Sequence, residues 1–335
     1  MDWNFTNCNR FIFGGFEMKT ILVTGGAGFI GSHVCDRLLN LNNKVVCVDN
    51  FNDYYSPYVK ENNIKHNLSN PNFVLEKIDI TDKDALSKVF LEHKIDKIVH
   101  LAARAGVRPS LIDPELYYNV NVKGTVNILE CARLNNVKTI VFGSSSSVYG
   151  NNKKFPFSET DDTNNQISPY ASTKKIGELI CKNYSYQYNM NITCLRFFTV
   201  YGPRGRPDMA PYKFTKLIYN DEEIQMYGDG SSKRDYTYVE DIVRGIVASL
   251  DKEFRFEIIN LGNSNPIFLK DFIKIIELAL NKKAKIIKKP MPKGDVNLTY
   301  ADIPKAKDLL GYDPKTPIKQ GIKKLVDWFI NQENI

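Results

Sequence analysis

The sequence predicts an α/β fold in which a Rossmann-type, doubly wound parallel sheet is joined to a smaller C-terminal α/β lobe. Three observations favour this class. From Lys19 to Tyr201, short β-rich runs alternate with amphipathic stretches, which is the pattern of repeated strand–helix units. A glycine-rich turn separates the first strand from the first helix. Beyond Tyr201 the alternation ends, and short strands and helices are mixed among prolines.

The strands of the sheet are predicted from short runs rich in Val, Ile and Phe. They are Thr20–Val23, Lys44–Val48, Phe73–Ile78, Lys97–Leu101, Thr139–Phe142 and Ile192–Phe197. The helices predicted between them are Ile30–Leu41, Asp84–Glu92, Tyr117–Leu134 and Pro169–Tyr188. Ligands of such sheets bind beyond the carboxyl ends of the strands. We therefore expect the loops that follow the strands to form one functional crevice.

Composition excludes several classes of protein. The 45 Lys and Arg exceed the 38 Asp and Glu by 7, but the surplus is scattered, so we expect no nucleic-acid partner. No apolar run is long enough to span a bilayer. The six cysteines form no Cys-x-x-Cys pair, which favours a reducing, cytoplasmic location. The four histidines lack ligand spacing, so no metal site is expected.

The turn after the first strand is typical of a dinucleotide site. Gly25, Gly28 and Gly31 suit a tight turn, close approach of the backbone to a pyrophosphate, and close helix–strand packing. Asp49 ends the second strand at the distance expected of an acid that accepts hydrogen bonds from the ribose hydroxyls. Asn50 and Phe51 follow it, with no arginine for a 2′-phosphate, so NAD is favoured over NADP. A turn aspartate is the alternative for Asp49.

Further cofactor contacts are expected along the same crevice. Asp79 and Ile80 follow the third strand and lie within reach of the adenine. Leu101, Ala102 and Ala103 are expected to run beside the cofactor, because the two alanines are small. The remaining residues assigned to the cofactor are Phe29, Ile30, Asn121, Tyr170, Lys174, Phe197 and Val200. We take residues 18–200, with about 235–262, as the NAD-binding domain; residues 1–17 as an N-terminal tail; and 201–234 with 263–335 as the substrate lobe.

A proton-transfer site is predicted at Tyr170 and Lys174. Ser168 can cap a helix that begins at Pro169, and residues four apart share one helix face. We expect the lysine ammonium, a positively charged nicotinamide and the helix N-terminus to lower the pKa of Tyr170 from about 10. The spacing alone is common, and the serine run Ser144–Ser147 alone would be a polar loop. Their combination downstream of a dinucleotide turn indicates catalysis.

These segments resemble the extended short-chain dehydrogenase/reductase family from Lys19 onward. The resemblance implies that Ser145 is the catalytic hydroxyl beside Tyr170 and Lys174. Nucleotide-sugar 4,6-dehydratases carry Asp and Glu at the next two positions, whereas this chain has Ser146 and Ser147. Elimination of water is therefore disfavoured, and so is decarboxylation, whose enzymes usually keep an acid in this loop.

Three stretches, 102–108, 197–203 and 205–210, resemble the UDP-glucuronate 4-epimerases. In that branch the resemblance implies that Thr199, the loop hydroxyls of Ser146 and Ser147, and Arg206 hold the substrate carboxylate. A bidentate arginine suits this role, although a structural ion pair is the alternative for Arg206. Arg204 departs from the family, which commonly has Trp there, and this leaves the sugar open.

Other contacts and the assembly are also implied by the resemblance. Arg234 is expected on the diphosphate, and Asp295 belongs to a loop, 293–296, that resembles the one closing on the nucleotide. The other residues assigned to substrate are Arg108, Lys213 and Tyr227. A homodimer is expected through the helices that contain 119–134 and 170–188.

The implied activity is NAD-dependent 4-epimerisation, interconverting UDP-glucuronate and UDP-galacturonate through a transient 4-keto sugar. Two alternatives stay open. One is a 4-epimerase of a neutral or N-acetylated UDP-hexose. The other is a non-catalytic, NAD-binding regulator, which the presence of Ser145, Tyr170 and Lys174 makes less attractive.

Overall fold

A computed structural model describes residues 18–290 and 297–333. The predicted tail, residues 1–17, and the predicted substrate residue Asp295 lie outside the described residues. Numbered in chain order, the strands are β1 (Thr20–Thr24), β2 (Lys44–Val48), β3 (Phe73–Glu76), β4 (Lys97–His100), β5 (Thr139–Ser145), β6 (Asn191–Phe197), β7 (Thr199–Tyr201), β8 (Glu223–Tyr227), β9 (Lys233–Tyr238), β10 (Phe256–Leu261), β11 (Pro266–Phe268), β12 (Lys285–Lys289) and β13 (Leu298–Thr299).

The helices are numbered in the same way. They are α1 (Phe29–Asn40), α2 (Pro57–Ile64), α3 (Lys83–Glu92), α4 (Val107–Ile112), α5 (Pro114–Tyr118), α6 (Gly124–Leu134), α7 (Pro169–Tyr188), α8 (Ala210–Tyr219), α9 (Val239–Leu250), α10 (Leu269–Leu280), α11 (Pro304–Leu310) and α12 (Ile318–Glu333). The helix predicted over 117–134 is interrupted, because a π-helical turn at Asn119–Lys123 separates α5 from α6. The sequence analysis missed α2 and α4.

Seven strands form one parallel sheet in the order β10–β6–β5–β4–β1–β2–β3. This order confirms the predicted doubly wound class. The chain switches direction across the sheet between β1 and β4, so a crevice opens at the carboxyl ends of these strands. Strand β5 extends three residues beyond its predicted end, because Gly143, Ser144 and Ser145 still pair with β6.

The sheet is covered on both faces, as parallel sheets require. Successive side chains of a strand point to opposite faces. In β1, Ile21 and Val23 accordingly belong to the hydrophobic cluster packed by α1 and α9, whereas Leu22 belongs to the cluster packed by α3, α6 and α7. This double burial explains why the central strands are almost continuously apolar.

A smaller sheet stands beside the crevice and corrects one prediction. Residues 236–250 were expected to return a strand and a helix to the main sheet. Instead, β9 joins the small sheet, where it pairs with β7, β11 and β13. The helix α9 does pack on the main sheet, and the strand that returns to its edge is β10. The tyrosines of β9 explain the difference, because Tyr236 stacks on Phe272 of α10 in the smaller lobe.

Two findings bear on the compositional expectations. None of the helices in residues 18–290 and 297–333 has the length and apolar character needed to cross a membrane. In the same residues, Cys35, Cys47, Cys131, Cys181 and Cys194 are buried free thiols that pack as small apolar side chains.

Candidate active site

A cavity of about 620 Å³ lies at the carboxyl ends of β1, β2, β4 and β5. Every described residue that the sequence analysis assigned to catalysis, cofactor or substrate lines it, apart from Asn121, Lys213 and Tyr227. Lys213 lies exposed on α8, and Tyr227 lies behind Arg108, whose guanidinium carbon is 5.2 Å from the centre of the tyrosine ring. The loops that the sequence analysis singled out therefore do converge on one site.

The glycine turn has the shape of a phosphate cradle. Gly25 has φ +68°, and its amide donates to the carbonyl of Val48 at 2.7 Å, which fastens the turn to β2. A Cβ on Gly31 would stand 2.1 Å from the carbonyl oxygen of Gly25, so no other residue fits there. Gly28 precedes α1 and leaves the amides of the first helical turn facing the cavity, where they suit a pyrophosphate. These residues fit the predicted dinucleotide.

Asp49 is buried at the end of β2. Its Oδ1 accepts from the amide of Phe51 at 2.9 Å, and its Oδ2 accepts from the amide of Ala27 at 3.2 Å. Burial raises the pKa of Asp49, while the charge of Lys60, 4.0 Å away, and the two amides lower it. The carboxylate thus links the β2 loop to the glycine turn and also lines the cavity where a ribose is expected.

Asp79 and Asn50 form a second polar pair on the wall. The amide of Asn50 donates to Oδ2 of Asp79 at 2.6 Å. Burial raises the pKa of Asp79, but hydrogen bonds from Thr81 and Asn50 outweigh it and hold this pKa below its ordinary value. The two residues therefore form one fixed polar edge of the cavity, where the sequence analysis places the adenine.

Asn121, which the sequence analysis assigned to the cofactor, does not line the cavity, and its side chain bonds to protein groups. Its Oδ1 accepts from the amide of Arg104 at 2.7 Å, and its Nδ2 donates to the carbonyl of Arg104 at 3.0 Å and to Thr173 at 2.9 Å. The π-helical turn places this buried amide between the β4 loop and α7. Asn121 therefore positions the loop that follows β4 against the helix that carries Tyr170.

Tyr170 lies in the first turn of α7, where the hydroxyl of Ser168 accepts from the amide of Ala171 at 3.2 Å. Burial raises the pKa of Tyr170, and a hydrogen bond with Ser145 and the charge of Arg206 oppose this rise. The amide and the hydroxyl of Ser147 both donate to Ser145 Oγ, at 3.2 and 3.0 Å. The serine loop thus holds the hydroxyl of Ser145 at the phenol.

Lys174 lies one turn further along α7 and is buried. Its Nζ donates to the carbonyl of Gly143 at 2.7 Å, and burial lowers its pKa to about 8. Ser145 and Arg206 thus oppose the rise that burial causes in the pKa of Tyr170, a role that the sequence analysis gave to Lys174, the nicotinamide and the helix N-terminus. Ser145, Tyr170 and Lys174 line the same cavity, and their catalytic roles stay a prediction.

Arg206 was interpreted either as a ligand of the substrate carboxylate or as a member of a structural ion pair. It lines the cavity, and it also forms an ion pair with Asp208, with Nε–Oδ1 at 3.0 Å and Nη2–Oδ2 at 2.5 Å. Arg204, the departure from the family, pairs with Asp36 of α1 at 2.7 Å. It therefore ties the 202–207 segment to the dinucleotide half and does not line the cavity.

Several wall residues were not predicted. One group of them, Asn52, Tyr54, Tyr55 and Lys60, lies in and after the loop that follows β2. Nζ of Lys60 donates to the carbonyl of Asn52 at 2.9 Å, which closes this loop over the cavity. The signal available in the sequence was the aromatic pair Tyr54-Tyr55 just before Ser56-Pro57, a helix start directly downstream of Asp49.

The parallel sheet, glycine cradle and Ser145–Tyr170–Lys174 trio define a short-chain dehydrogenase/reductase of the extended type. The chain belongs to the family described as GDP-mannose 4,6 dehydratase, whose profile matches residues 22–325. It is 44% identical over 319 residues to the UDP-glucuronate 4-epimerase of Thermodesulfobacterium geofontis, covering 95% of this chain and 98% of the relative.

Two solved structures resemble the fold along nearly its whole length. One is UDP-glucuronic acid 4-epimerase of Bacillus cereus in complex with UDP-glucuronic acid and NAD, with TM-score 0.87, 37% identity, and coverage of 93% of this chain and 99% of that one. The other is UDP-glucose 4-epimerase of Thermotoga maritima with UDP-glucose, with TM-score 0.87, 33% identity, and coverage of 94% and 99%. The predicted class, an NAD-dependent nucleotide-sugar 4-epimerase, is confirmed by these relatives.

Proposed function

We propose that the protein interconverts UDP-glucuronate and UDP-galacturonate by NAD-dependent 4-epimerisation. The observation that carries this proposal is the guanidinium of Arg206 on the wall of the cavity that also holds Tyr170. Thr199, Ser146 and Ser147 line the same cavity and offer hydroxyl donors. An arginine with neighbouring hydroxyls matches a carboxylate, which distinguishes a uronate from a neutral hexose.

The chemistry divides between the cofactor and the side chains. NAD, when bound, supplies the hydride acceptor and donor for C4 of the sugar. Tyr170 removes the C4 hydroxyl proton as the ketone forms and returns a proton when the opposite C4 configuration is made. Ser145 donates to the same sugar oxygen, while Lys174, one turn along α7 from the tyrosine, would hold the nicotinamide ribose. The cycle is redox-neutral overall.

The protonation states of the trio suit a reversible proton transfer. Burial raises the pKa of the Tyr170 phenol, so the side chain is neutral before substrate and cofactor bind. It can act as a base only when further positive charge nearby lowers this pKa. Arg206 already lowers this pKa. The pKa of Lys174, near 8, leaves its ammonium mostly charged at neutral pH. The positive nicotinamide ring adds to these charges when NAD is bound.

Retention of the carboxylate is the second requirement. A ketone at C4 makes the uronate a β-keto acid, which loses carbon dioxide when the breaking bond aligns with the carbonyl π system. Hydrogen bonds from Arg206, Thr199 and the serine loop would hold the carboxylate out of that alignment. In addition, Ser146 and Ser147 provide no acid–base pair for elimination. Pentose formation by the wild type would contradict this part of the proposal.

A 4-epimerase of a neutral or N-acetylated UDP-hexose is the second candidate. It is favoured by the likeness to the Thermotoga maritima enzyme and by the ion pair that Asp208 already forms with Arg206. The two candidates separate when UDP-glucuronate and UDP-glucose are offered to one preparation at equal concentration. We expect at least a tenfold higher kcat/KM for UDP-glucuronate. A preference for UDP-glucose would reject the first proposal.

A variant sharpens this comparison. Arg206→Lys keeps the positive charge but removes the planar guanidinium and its donors, so we expect kcat/KM for UDP-glucuronate to fall roughly tenfold or more. UDP-glucose turnover should change much less. Lys213→Met is the control, because it also alters a basic side chain but one that lies outside the cavity. The sequence analysis had assigned Lys213 to the substrate. If both variants behave alike on both sugars, the assignment of Arg206 to the carboxylate is wrong.

We also propose that the protein forms a homodimer through α6 and α7. The support is large apolar side chains exposed on these helices, since Leu134, Leu179 and Tyr186 are 59%, 54% and 71% exposed. Leu179 and Tyr186 are seven residues apart and therefore lie on one side of α7. Exposed large apolar side chains grouped in this way are typical of a protein interface.

A further inference from the structure

A three-residue cluster surrounds the guanidinium of Arg206. Nε and Nη2 donate to the two oxygens of Asp208, at 3.0 and 2.5 Å. Nη2 also donates to the hydroxyl of Tyr54 at 3.3 Å, and that hydroxyl donates to Asp208 Oδ2 at 3.2 Å. The guanidinium carbon lies 5.3 Å from the centre of the Tyr54 ring. The side chain of Arg206 is thus held by residues of two loops, the one that carries it and the one after β2.

The cluster has an inner and an outer side. Arg206 and Tyr54 line the cavity, whereas Asp208 does not. The side chain of Arg206 is 20% exposed and that of Asp208 is 41% exposed. Asp208 therefore holds the guanidinium from the solvent side. Nη1 of Arg206 has no hydrogen-bond partner within residues 18–290 and 297–333, and it remains available to a ligand.

Tyr54 is itself fixed in place. Its amide donates to Oδ1 of Asn52 at 3.1 Å, and the side chain of Asn52 donates to Oδ1 of Asn50 at 2.8 Å. This chain of short polar contacts begins at the residue that follows Asp49. The loop expected to meet the ribose therefore also supports the arginine expected to meet the sugar.

We propose that Asp208 and Tyr54 are positioning residues that fix Arg206 toward the cavity and thereby set the preference for a sugar carrying a C6 carboxylate. This inference rests on the proposed function and deepens it. A free arginine side chain loses rotamer entropy when a ligand immobilises it. Here the side chain of Arg206 is already fixed before substrate binds, because Asp208 occupies one edge of the guanidinium. Nη1 is the donor that then remains for the ligand.

The test compares Asp208→Asn and Tyr54→Phe with wild type on UDP-glucuronate and UDP-glucose, in the holoenzyme. Asparagine keeps the shape but removes the charge, so Arg206 is held less firmly. We expect KM for UDP-glucuronate to rise about tenfold in Asp208→Asn and about threefold in Tyr54→Phe, within the range of one hydrogen bond to a charged group. KM for UDP-glucose should change by less than about twofold. Asp208→Glu should recover part of the loss.

Matched controls separate positioning from general damage. Asp327→Asn removes an aspartate that pairs with Lys323 at 3.0 Å on the surface of α12, and Tyr58→Phe alters a tyrosine that is 66% exposed. Neither control should move the ratio of the two KM values. Bound NAD released by denaturation and measured by absorbance should be equal in all variants, which checks that the cofactor half is intact.

The outcomes distinguish this inference from the proposed function. If wild type prefers UDP-glucuronate and Asp208→Asn loses that preference while retaining activity on UDP-glucose, the inference is supported. If wild type prefers UDP-glucuronate and the preference survives both substitutions, the inference alone is overturned. If wild type has no preference for the uronate, the proposed function fails first, and the specificity role of Asp208 fails with it.

Discussion

The residues around Tyr170 restrict the movement of the phenol to which we assign the proton transfer. Ser147 donates twice to the hydroxyl of Ser145, and Ser145 in turn bonds with Tyr170. The ring of Tyr117 meets that of Tyr170 edge-on, with centroids 6.3 Å apart, and its own hydroxyl donates to the carbonyl of Ala105 at 2.7 Å. The phenol therefore has little freedom to rotate, and its hydroxyl points to a fixed part of the cavity.

Removing that hydroxyl should stop catalysis without unfolding the protein. We expect Tyr170→Phe to lower kcat by about 10²–10⁴, the usual contribution of a general acid–base group. Steady-state turnover of UDP-glucuronate measures this loss. Tyr58→Phe, on an exposed part of α2, is the control and should retain wild-type kcat. Substantial activity in Tyr170→Phe would mean that another group transfers the proton.

On the scale of elements, a buried ion pair joins α7, the helix that carries Tyr170, to β6. Glu178 of α7 accepts from Nε and Nη2 of Arg196 in β6, both at 2.8 Å, and each side chain is only 1% exposed. The hydroxyl of Ser144 donates to the same carboxylate at 2.7 Å. One carboxylate thus fastens α7, β6 and the end of β5, directly beside Ser145.

Breaking this pair should destabilise the fold, because it leaves the buried guanidinium of Arg196 without its counter-charge. We expect Glu178→Gln to lower the free energy of unfolding by roughly 3 kcal/mol, measured by urea denaturation at pH 7. Glu240→Gln is the matched control, since its 3.5 Å pair with Lys324 is exposed and should contribute less than about 1 kcal/mol. Equal effects of the two substitutions would show that the buried pair has no special role.

His100 joins three elements at the end of β4. Its Nδ1 lies 2.7 Å from the hydroxyl of Thr24 in β1, and its Nε2 lies 3.0 Å from that of Thr125 in α6. Burial, and then the charge of Lys174, lower its pKa to about 3. The imidazole is therefore neutral in the folded protein down to strongly acidic pH, whereas it gains a proton near pH 6.5 when unfolded.

This difference predicts how stability depends on pH. Below pH 6.5 the imidazole of His100 binds a proton in the unfolded state, whereas in the folded state it stays neutral down to about pH 3. The free energy of unfolding therefore falls as the pH falls from 6.5 to 3. Urea denaturation at pH 7 and pH 4.5 should show a smaller loss for His100→Asn than for wild type, by about 2–3 kcal/mol. An identical loss in both proteins would contradict the assignment of a buried neutral histidine.

Elements dictated by local pattern were predictable, and those dictated by contacts across the fold were not. Helix α7 was placed correctly because Ser168 and Pro169 mark its start. The π-helical turn at 119–123 was missed, since it depends on Asn121 meeting Arg104 and Thr173. Asp208 was missed for a similar reason: its role follows from contact with Tyr54, 154 residues away in sequence.

At the scale of the whole molecule, the two sheets are joined where the chain crosses from β6 to β7. Phe197 ends the main sheet on the cavity wall, and Thr199 begins the strand that pairs with β9 in the small sheet. Substrate residues and cofactor residues therefore meet within three positions of the chain. The sequence predicted this convergence but assigned β9 to the wrong sheet, because a strand's own residues do not identify its distant partners.

The proposed dimer makes a prediction at the same scale. Leu179→Glu with Tyr186→Glu places two charges on the apolar side of α7, and we expect these changes to shift the protein from dimer to monomer in sedimentation velocity. Leu278→Glu, at another side chain that is 66% exposed, is the control and should leave the dimer intact. A wild-type monomer, or a dimer unaffected by the paired change, would contradict the proposed interface.

The most direct measurement is NMR of the product formed from UDP-glucuronate that carries deuterium at C4. The proposed mechanism predicts UDP-galacturonate with the deuterium retained at C4, because the hydride leaves and returns within one cavity. Loss of the label to solvent, formation of a UDP-pentose, or no product from a preparation that converts UDP-glucose would contradict the account.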